Sequence, residues 1–267
     1  MSKQSVKLEK DNVAYTIVNF KDRSDLRASI IDLDTALWPK FYHVPLENTA
    51  IDLMFNDWSE YQVAAFDEEG KLMGVGLVIP ISWDGNNDTL PLGWYAAAQQ
   101  GIDDWTTRKA CTALTAYAIM VDKTFRRRGI SNIILQAVLN MARSHGFNSL
   151  MVCARPVLKT KYPLIPIEQY AHWTTAKGEL FDPWLRVHSR AGANLVRVSP
   201  SSVTFRGTIS QWQEWTNMEF PASGQYIVEG ALAPIIIDHE RDLGVYDEPN
   251  VWMVHSILPS LHKTVQQ

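Results

Sequence analysis

The chain has 267 residues, of which 46% are hydrophobic and 20% are charged, and this balance excludes a disordered or fibrous protein. A chain of this length buries roughly three-quarters of its unfolded surface, so it can build a core without disulfides. Its 25 basic and 29 acidic residues give a net charge of −4, which disfavours general binding to nucleic acid or to an anionic membrane.

Cysteine usage and hydropathy indicate the cellular compartment of the protein. Cys111 and Cys153 lie in apolar runs and imply no disulfide framework. The polar N-terminal segment lacks the apolar stretch of a secretory signal, and the sequence contains no run of ~18 apolar residues. We therefore expect a cytoplasmic protein without a membrane span. No His, Cys or Asp spacing predicts a metal site.

The order of the elements predicts a single α/β domain over residues 1–267, because no repeat, low-complexity segment or linker divides the chain. Strands are predicted at 13–20, 61–66, 71–79, 113–121, 148–154, 194–198, 203–206, 226–228, 233–237 and 245–255. Helices are predicted at 26–38, 49–58, 130–141, 165–175, between Asp182 and Gly192, and at 208–216, with an irregular helical insertion over 93–109.

The segment 113–141 carries the clearest chemical signal. A strand leads into a turn in which four of the six residues 123–128 are basic, and Gly129 then begins an amphipathic helix. A helix N-terminus presents unpaired N–H groups and a partial positive charge, and glycine lets a ligand approach the backbone closely. Together with arginine, these features predict a site for phosphate or pyrophosphate. A solvated basic loop is the alternative interpretation.

The run 126–131, which reads Arg-Arg-Arg-Gly-Ile-Ser, resembles the Arg/Gln-x-x-Gly-x-Gly/Ala signature of the GNAT acyltransferase superfamily. Ser131 stands where glycine or alanine is usual. The resemblance extends over about 61–206. It implies a single GNAT-like α/β domain with a mixed, splayed central sheet flanked by helices. It also implies coenzyme A or acetyl-CoA as the acyl-donor co-substrate.

The resemblance further implies how the coenzyme is held. The loop amides would bind the pyrophosphate, and the preceding strand would offer backbone groups to the pantetheine arm and the acyl carbonyl. The coenzyme-binding residues so implied are Met120, Val121, Arg126, Arg127, Arg128, Gly129, Ile130 and Ser131. The strand 148–154 would form the far wall of the wedge that holds the thioester. Cys153 lies on that wall, either as a buried small hydrophobic residue or in a covalent role.

A second signature implies a catalytic residue. Many family members carry Tyr-x-x-x-Gly-Phe, in which the tyrosine lies near the coenzyme sulfur. Here His188 holds the tyrosine position four residues before Gly192, and Ala193 replaces the phenylalanine. The resemblance thus makes His188 the candidate donor of a hydrogen bond or a proton. The helical spacing turns His188 inward, with Trp184 on the same face. A structural core histidine is the alternative.

Segments 155–162, 181–188 and 248–252 also resemble the GNAT-like domains that begin some polyketide assembly lines. Those domains decarboxylate malonyl-type thioesters or load acyl groups onto a carrier protein, using a histidine with a threonine or serine. His188 fits the histidine, whereas Thr115, Ser131 and Thr160 are only nearby in sequence as hydroxyl candidates.

The main prediction is an acyl-CoA-dependent acyltransferase that transfers an acyl group, with acetyl preferred, to a small-molecule or carrier-protein acceptor. No nucleic-acid or membrane partner is expected, and the oligomeric state is left open. The alternatives are a GNAT-like decarboxylase or acyl loader, and a non-catalytic acyl-CoA-binding module.

Overall fold

The computed structural model describes residues 6–10, 13–21, 23–43 and 48–257, which form ten strands and seven α-helices. The strands are β1 (Val6–Lys10), β2 (Val13–Asn19), β3 (Val63–Phe66), β4 (Leu72–Ile81), β5 (Ala113–Val121), β6 (Ser149–Ala154), β7 (Asn194–Gly207), β8 (Gly224–Tyr226), β9 (Ile235–Asp238) and β10 (Leu243–Ser256). The helices are α1 (Leu26–Leu37), α2 (Asn48–Phe55), α3 (Trp94–Thr106), α4 (Ile130–Ser144), α5 (Ile167–Tyr170), α6 (Pro183–Arg190) and α7 (Ile209–Thr216).

All ten strands belong to one sheet, in the order β1-β2-β3-β4-β5-β6-β10-β9-β8, and β7 pairs with β10. Among the described strands, β5 and β6 form the one parallel pair, and every other pairing is antiparallel. The parallel pair requires a crossover connection, which α4 supplies. The mixed α/β sheet flanked by helices is therefore confirmed.

Helices cover both faces of the sheet. Apolar residues of α4, α5 and α6 pack with alternate residues of β5, β6 and β10 in the largest core cluster. Apolar residues of α1, α2 and α3 pack against β4 and β5 on the other face. A third, aromatic cluster gathers around Trp212 of α7 and Phe41 of the turn after α1. None of the helices in the described ranges is long and apolar enough to cross a bilayer.

The main differences between the predicted elements and the structure fall at four places. The insertion 93–109 is a regular helix, α3, and a side chain at its Gly101 would collide with Ile79 of the sheet, so the helix packs closely there. The helix predicted at 165–175 shortens to the single turn α5, and β1 was not predicted. The two strands 194–198 and 203–206 form one strand, β7. Pro200 is tolerated within it because the β7–β10 register shifts between Glu248 and Asn250, where no regular ladder bond is needed.

Candidate active site

The central feature of the site is a wedge between β5 and β6. The two strands pair at only three positions, the last of which joins Thr115 to Met151. Beyond this pair, which we call the apex, β5 runs on to Val121 beside β4, while β6 runs on to Ala154 beside β10. The splayed sheet expected from the resemblance is therefore present, and it leaves one edge of β5 without a neighbouring strand.

The wedge exposes part of a strand that is otherwise central. Tyr117, Ala118, Ile119 and Val121 are half-buried, whereas every residue of β6 is buried. The β4–β5 register shifts at this point, because Val78 pairs with Ala116 after Leu77 pairs with Ala118, so Tyr117 is an extra residue in β5. The Tyr117 carbonyl accepts a hydrogen bond from Trp94 Nε1 at 2.8 Å. The bulged part of β5 near the apex is thus held in place by α3.

The basic loop lies at the open end of the wedge. Asp122 caps its first turn by accepting a hydrogen bond from the Thr124 backbone N–H at 2.8 Å. Phe125 is buried, and the side chains of Arg126, Arg127 and Arg128 are exposed to solvent. Together with the exposed Lys123, the loop therefore places four cations around a buried aromatic anchor.

A fifth cation joins the loop from the β3–β4 hairpin. Lys71 Nζ lies 5.0 Å from the centroid of the Phe125 ring, and the Arg128 guanidinium lies 5.6 Å from the same centroid. Lys71 Nζ also donates to Thr124 Oγ1 at 3.2 Å. Sequence analysis did not assign Lys71 to this site, because the contact spans 53 residues of chain.

The backbone of the loop is shaped for an anion. Gly129 caps α4 in the left-handed region, at φ 75° and ψ 4°, and Arg127 also has a positive φ of 64°. The first hydrogen bonds of α4 run from the N–H groups of Asn132 and Ile133 to the Gly129 carbonyl, so the N–H groups of Ile130 and Ser131 precede them at the helix N-terminus. Unpaired amides at a helix N-terminus favour a phosphate group, and the adjacent arginines reinforce that preference.

His188 is positioned by a well-capped helix. Asp182, at the start of α6, accepts hydrogen bonds from the backbone N–H groups of Trp184 at 2.9 Å and Leu185 at 3.3 Å. Its second carboxylate oxygen accepts from Tyr170 Oη at 2.8 Å. Pro183 follows at the first helical position, as the sequence predicts. The cap directs His188 inward, where its side chain is completely buried.

Inside the core, His188 meets a second histidine. His188 Nδ1 lies 3.0 Å from Nε2 of His255 on β10, and no hydrogen-bond partner for His188 Nε2 is found among the described residues. His255 is paired with Leu150 of β6, one residue before Met151 at the apex. The two histidines therefore lie beside the closed end of the wedge. Sequence analysis missed His255, since a histidine in an apolar strand gives no local signal.

Burial keeps both rings neutral at pH 7. It lowers the pKa of His188 to about 3, with a smaller contribution from His255. It lowers the pKa of His255 to about 4, against a smaller opposite effect of the Ala191 backbone carbonyl. A protonated His188, the stronger donor that decarboxylation would favour, is therefore not the resting form.

The structure places the hydroxyl candidates and Cys153 in different surroundings. Thr115 lies at the apex, Ser131 in the first turn of α4, and Thr160 in a short turn after β6, and none of the three is hydrogen-bonded to His188. Cys153 is buried, with Sγ 3.3 Å from Ser202 Oγ. Burial raises the pKa of the Cys153 thiol to about 12, which supports the small hydrophobic interpretation over a covalent role.

A buried ion pair borders the wall of the wedge that β6 forms. Arg155, the first residue after β6, donates from Nε to Glu248 Oε1 at 3.0 Å and to Tyr42 Oη at 2.8 Å. Tyr246 donates to the other carboxylate oxygen of Glu248 at 2.9 Å. Burial raises the pKa of Glu248, and a hydrogen bond from the Asn250 side chain has a smaller opposite effect. The pair ties the segment after α1 to the sheet.

No group of three or more His, Cys, Asp or Glu side chains within the described ranges is placed to hold a metal ion. The basic loop and the buried histidine pair are thus the two chemically distinctive features around the wedge. They lie at its open and closed ends, respectively.

Comparisons with known proteins agree with this arrangement. Residues 28–159 match the model of the acetyltransferase (GNAT) family. The arginine N-acetyltransferase avaD of Aspergillus versicolor is 28% identical over an alignment 280 residues long, which covers 91% of this chain and 94% of that protein.

Two solved structures share the fold. The loading GNATL domain of CurA from Lyngbya majuscula has a TM-score of 0.58 at 14% identity, covering 91% of this chain and 98% of that one. The GphF GNAT-like decarboxylase in complex with isobutyryl-CoA has a TM-score of 0.55 at 16% identity, and the match covers 91% of this chain and 99% of that chain. Residues 28–159 thus match the acetyltransferase (GNAT) family, and the fold of the chain is similar to those of these two GNAT-like proteins.

Proposed function

We propose that the protein transfers an acyl group, with acetyl preferred, from coenzyme A to an amine. The observation that carries the proposal is the wedge between β5 and β6 with an anion-binding loop at its open end. The pyrophosphate of the coenzyme binds backbone amides of the loop and of the first turn of α4, between Arg126 and Ser131, and the exposed arginines neutralise its charge. The whole chain acts as one domain, because β7 to β10 complete the sheet that β1 to β6 begin.

The pantetheine arm follows the free edge of β5. Beyond the apex this edge has no neighbouring strand, and we assign the backbone groups of Val121 to the pantetheine arm, because the N–H of the next residue, Asp122, bonds Met73 of β4 on the opposite edge. An arm that enters from the loop at 126–131 runs towards Thr115 and Met151. The acyl group then lies at the apex, close to the buried His188, which is the catalytic residue of this proposal.

An amine is the preferred acceptor. The curated relative that aligns with most of this chain is named as an arginine N-acetyltransferase, which supports an amino or guanidino group as the nucleophile. A carrier-protein thiol is the other acceptor compatible with a thioester donor. Arginine is therefore the first compound to test.

Calorimetric titration with coenzyme A tests the donor site. Each of Arg126→Ala and Arg128→Ala removes one charge-assisted contact, and we expect about a tenfold loss of affinity, which corresponds to ~1.4 kcal/mol. Arg143→Ala is the matched control, since Arg143 is an exposed arginine in the last turn of the same helix. Unchanged affinity in a folded double variant of Arg126 and Arg128 would contradict the site.

A second candidate function is decarboxylation of a malonyl-type thioester or acyl loading. The fold shared with a loading domain and a GNAT-like decarboxylase favours it. Decarboxylation requires a donor that stabilises the enolate oxygen, so His188 would have to carry its proton on Nε2. Consumption of malonyl-CoA in the absence of any acceptor would distinguish decarboxylation from acyl transfer. Coenzyme A binding without either reaction would leave a non-catalytic acyl-CoA-binding module.

A further inference from the structure

A short segment in front of α3, residues 90–94, crosses one face of the wedge, and we call it the strap. Three side chains of β7 hydrogen-bond to its backbone, those of Arg197, Ser199 and Ser202. A Cβ added at Gly93 would collide with the backbone of Ser202, so the strap lies directly against β7. The strap is therefore fixed to the part of the sheet that lies beyond β6.

Trp94, the last residue of the strap, reaches both walls of the wedge. Its Nε1 donates to the Tyr117 carbonyl on β5 at 2.8 Å, and the centroids of the two rings are 5.0 Å apart. Its backbone N–H donates to Ser202 Oγ at 2.8 Å, and Ser202 Oγ lies 3.3 Å from Cys153 Sγ on β6. Tyr117 and Cys153 each lie two residues beyond the apex. Trp94 therefore spans the wedge immediately past the point at which its strands separate.

The packing of β6 shows which face of the wedge Trp94 covers. Met151 and Cys153 share a core cluster with Ala97 of α3, whereas the intervening Val152 packs with α4 on the opposite face. Trp94 packs against the cluster that contains Met151 and Cys153, and it remains half-buried. The indole is thus part of the wall of the wedge on the α3 face, next to the apex.

We propose that Trp94 sets the length of the acyl group that the wedge accepts, because it closes the α3 face at the apex. The inference rests on the proposed function, which places the acyl group at the apex. The chemical class so selected is a short acyl thioester of coenzyme A, such as acetyl-CoA. Trp94 is then a specificity-determining residue and takes no part in proton transfer.

The other directions at the apex are also filled. Strand pairing between Thr115 and Met151 ends the wedge. On the face opposite α3, Leu114, Leu150 and Val152 are buried in the core cluster that includes α4. An acyl chain longer than acetyl must therefore displace a packed side chain, and close-packed walls accommodate extra methylene groups only at a cost in affinity.

Trp94 is held against such displacement. The indole cannot turn out of the wedge without breaking its hydrogen bond to the Tyr117 carbonyl and its contact with the Tyr117 ring. The backbone of Trp94 cannot follow the ring, because Ser202 and the other two β7 side chains hold the strap from the opposite side. The indole is therefore a rigid part of the wall, as discrimination by size requires.

Calorimetric titration with acetyl-CoA and with hexanoyl-CoA tests the inference. We expect the wild-type protein to bind acetyl-CoA at least about tenfold more tightly than hexanoyl-CoA, because the longer chain meets the indole. Trp94→Ala should bring the two affinities within a few-fold of each other by strengthening hexanoyl-CoA binding. Trp94→Phe retains an aromatic ring and should keep most of the difference. Trp105→Ala is the matched control and should keep the wild-type ratio, since Trp105 is an exposed tryptophan at the other end of α3.

Three results would contradict these expectations, and they differ in what they overturn. Equal affinity of the wild-type protein for the two thioesters would overturn the inference without the need for any variant. An unchanged affinity ratio in a folded Trp94→Ala variant would overturn it as well. If the wild-type protein bound neither thioester nor coenzyme A itself, the proposed function would fall, and the inference would fall with it.

Discussion

Thr115 and Met151 form the last backbone pair before β5 and β6 separate. From Thr115 the strand runs six residues to Val121, which at ~3.3 Å per residue is roughly 20 Å. The basic loop therefore lies at one end of this stretch and the histidine pair at the other. Since the two ends are far apart, variants of the loop should alter coenzyme affinity and variants of the histidines should alter turnover.

Gly129→Ala should weaken coenzyme A binding at least about tenfold, because a side chain at a positive φ costs ~1–2 kcal/mol and shifts the amides that face the pyrophosphate. Gly146→Ala is a matched control. Gly146 ends the same helix at φ 77°, and a Cβ added at either glycine would meet no described atom within 4 Å. Both variants should lose similar stability in urea unfolding. Equal affinity for coenzyme A in the two variants would contradict the loop assignment.

His188→Gln should lower kcat by ~10²–10⁴, which is the usual effect of losing a group that transfers protons. Affinity for coenzyme A should stay within a few-fold of wild type, because His188 lies at the closed end of the wedge. Steady-state kinetics and titration calorimetry separate the two effects. Full activity in the variant would show that His188 is only a core residue.

Stability should fall as the pH is lowered from 6.5 towards 4. The pKa of His188 is lowered to about 3 and that of His255 to about 4, both from an ordinary value of 6.5. The unfolded state therefore binds more protons than the folded state in this range, so acid favours unfolding, whereas above pH 6.5 these groups have no effect. Urea unfolding at a series of pH values measures the slope, and replacing both histidines with leucine should flatten it. Equal slopes in the two proteins would contradict the buried neutral pair.

Cys153 should be unreactive and dispensable for chemistry. Burial raises the pKa of its thiol to about 12, so the thiolate is scarce at pH 7. Iodoacetamide should modify Cys153 in the folded protein more slowly than the half-buried Cys111. Cys153→Ala should keep kcat within a few-fold of wild type. Loss of turnover in a folded Cys153→Ala variant would restore the covalent role.

The local parts of the site were predictable from the sequence. Strand β5 has the predicted bounds, because its nine residues carry no charge and end at the basic loop. Gly129 likewise marks the start of α4. The inward orientation of His188 followed from helical spacing and from Asp182 at the N-cap.

The long-range parts of the site were not predictable. His255 contacts His188 across 67 residues of chain, and Glu248 contacts Arg155 across 93. Such contacts depend on β10 lying between β6 and β9, an order that no periodicity encodes. The continuous strand β7 was missed for a related reason, because a register shift against β10 accommodates Pro200.

Amine-dependent release of coenzyme A thiol is the most direct test of acyl transfer. Purified protein is incubated with acetyl-CoA, with or without arginine, and in parallel with malonyl-CoA alone, and the products are followed by mass spectrometry. We expect an acetylated amine and free coenzyme A only when the amine is present, no acetyl-CoA from malonyl-CoA, and loss of transfer in His188→Gln. Steady conversion of malonyl-CoA to acetyl-CoA without an acceptor, abolished in the same variant, would contradict acyl transfer and establish decarboxylation.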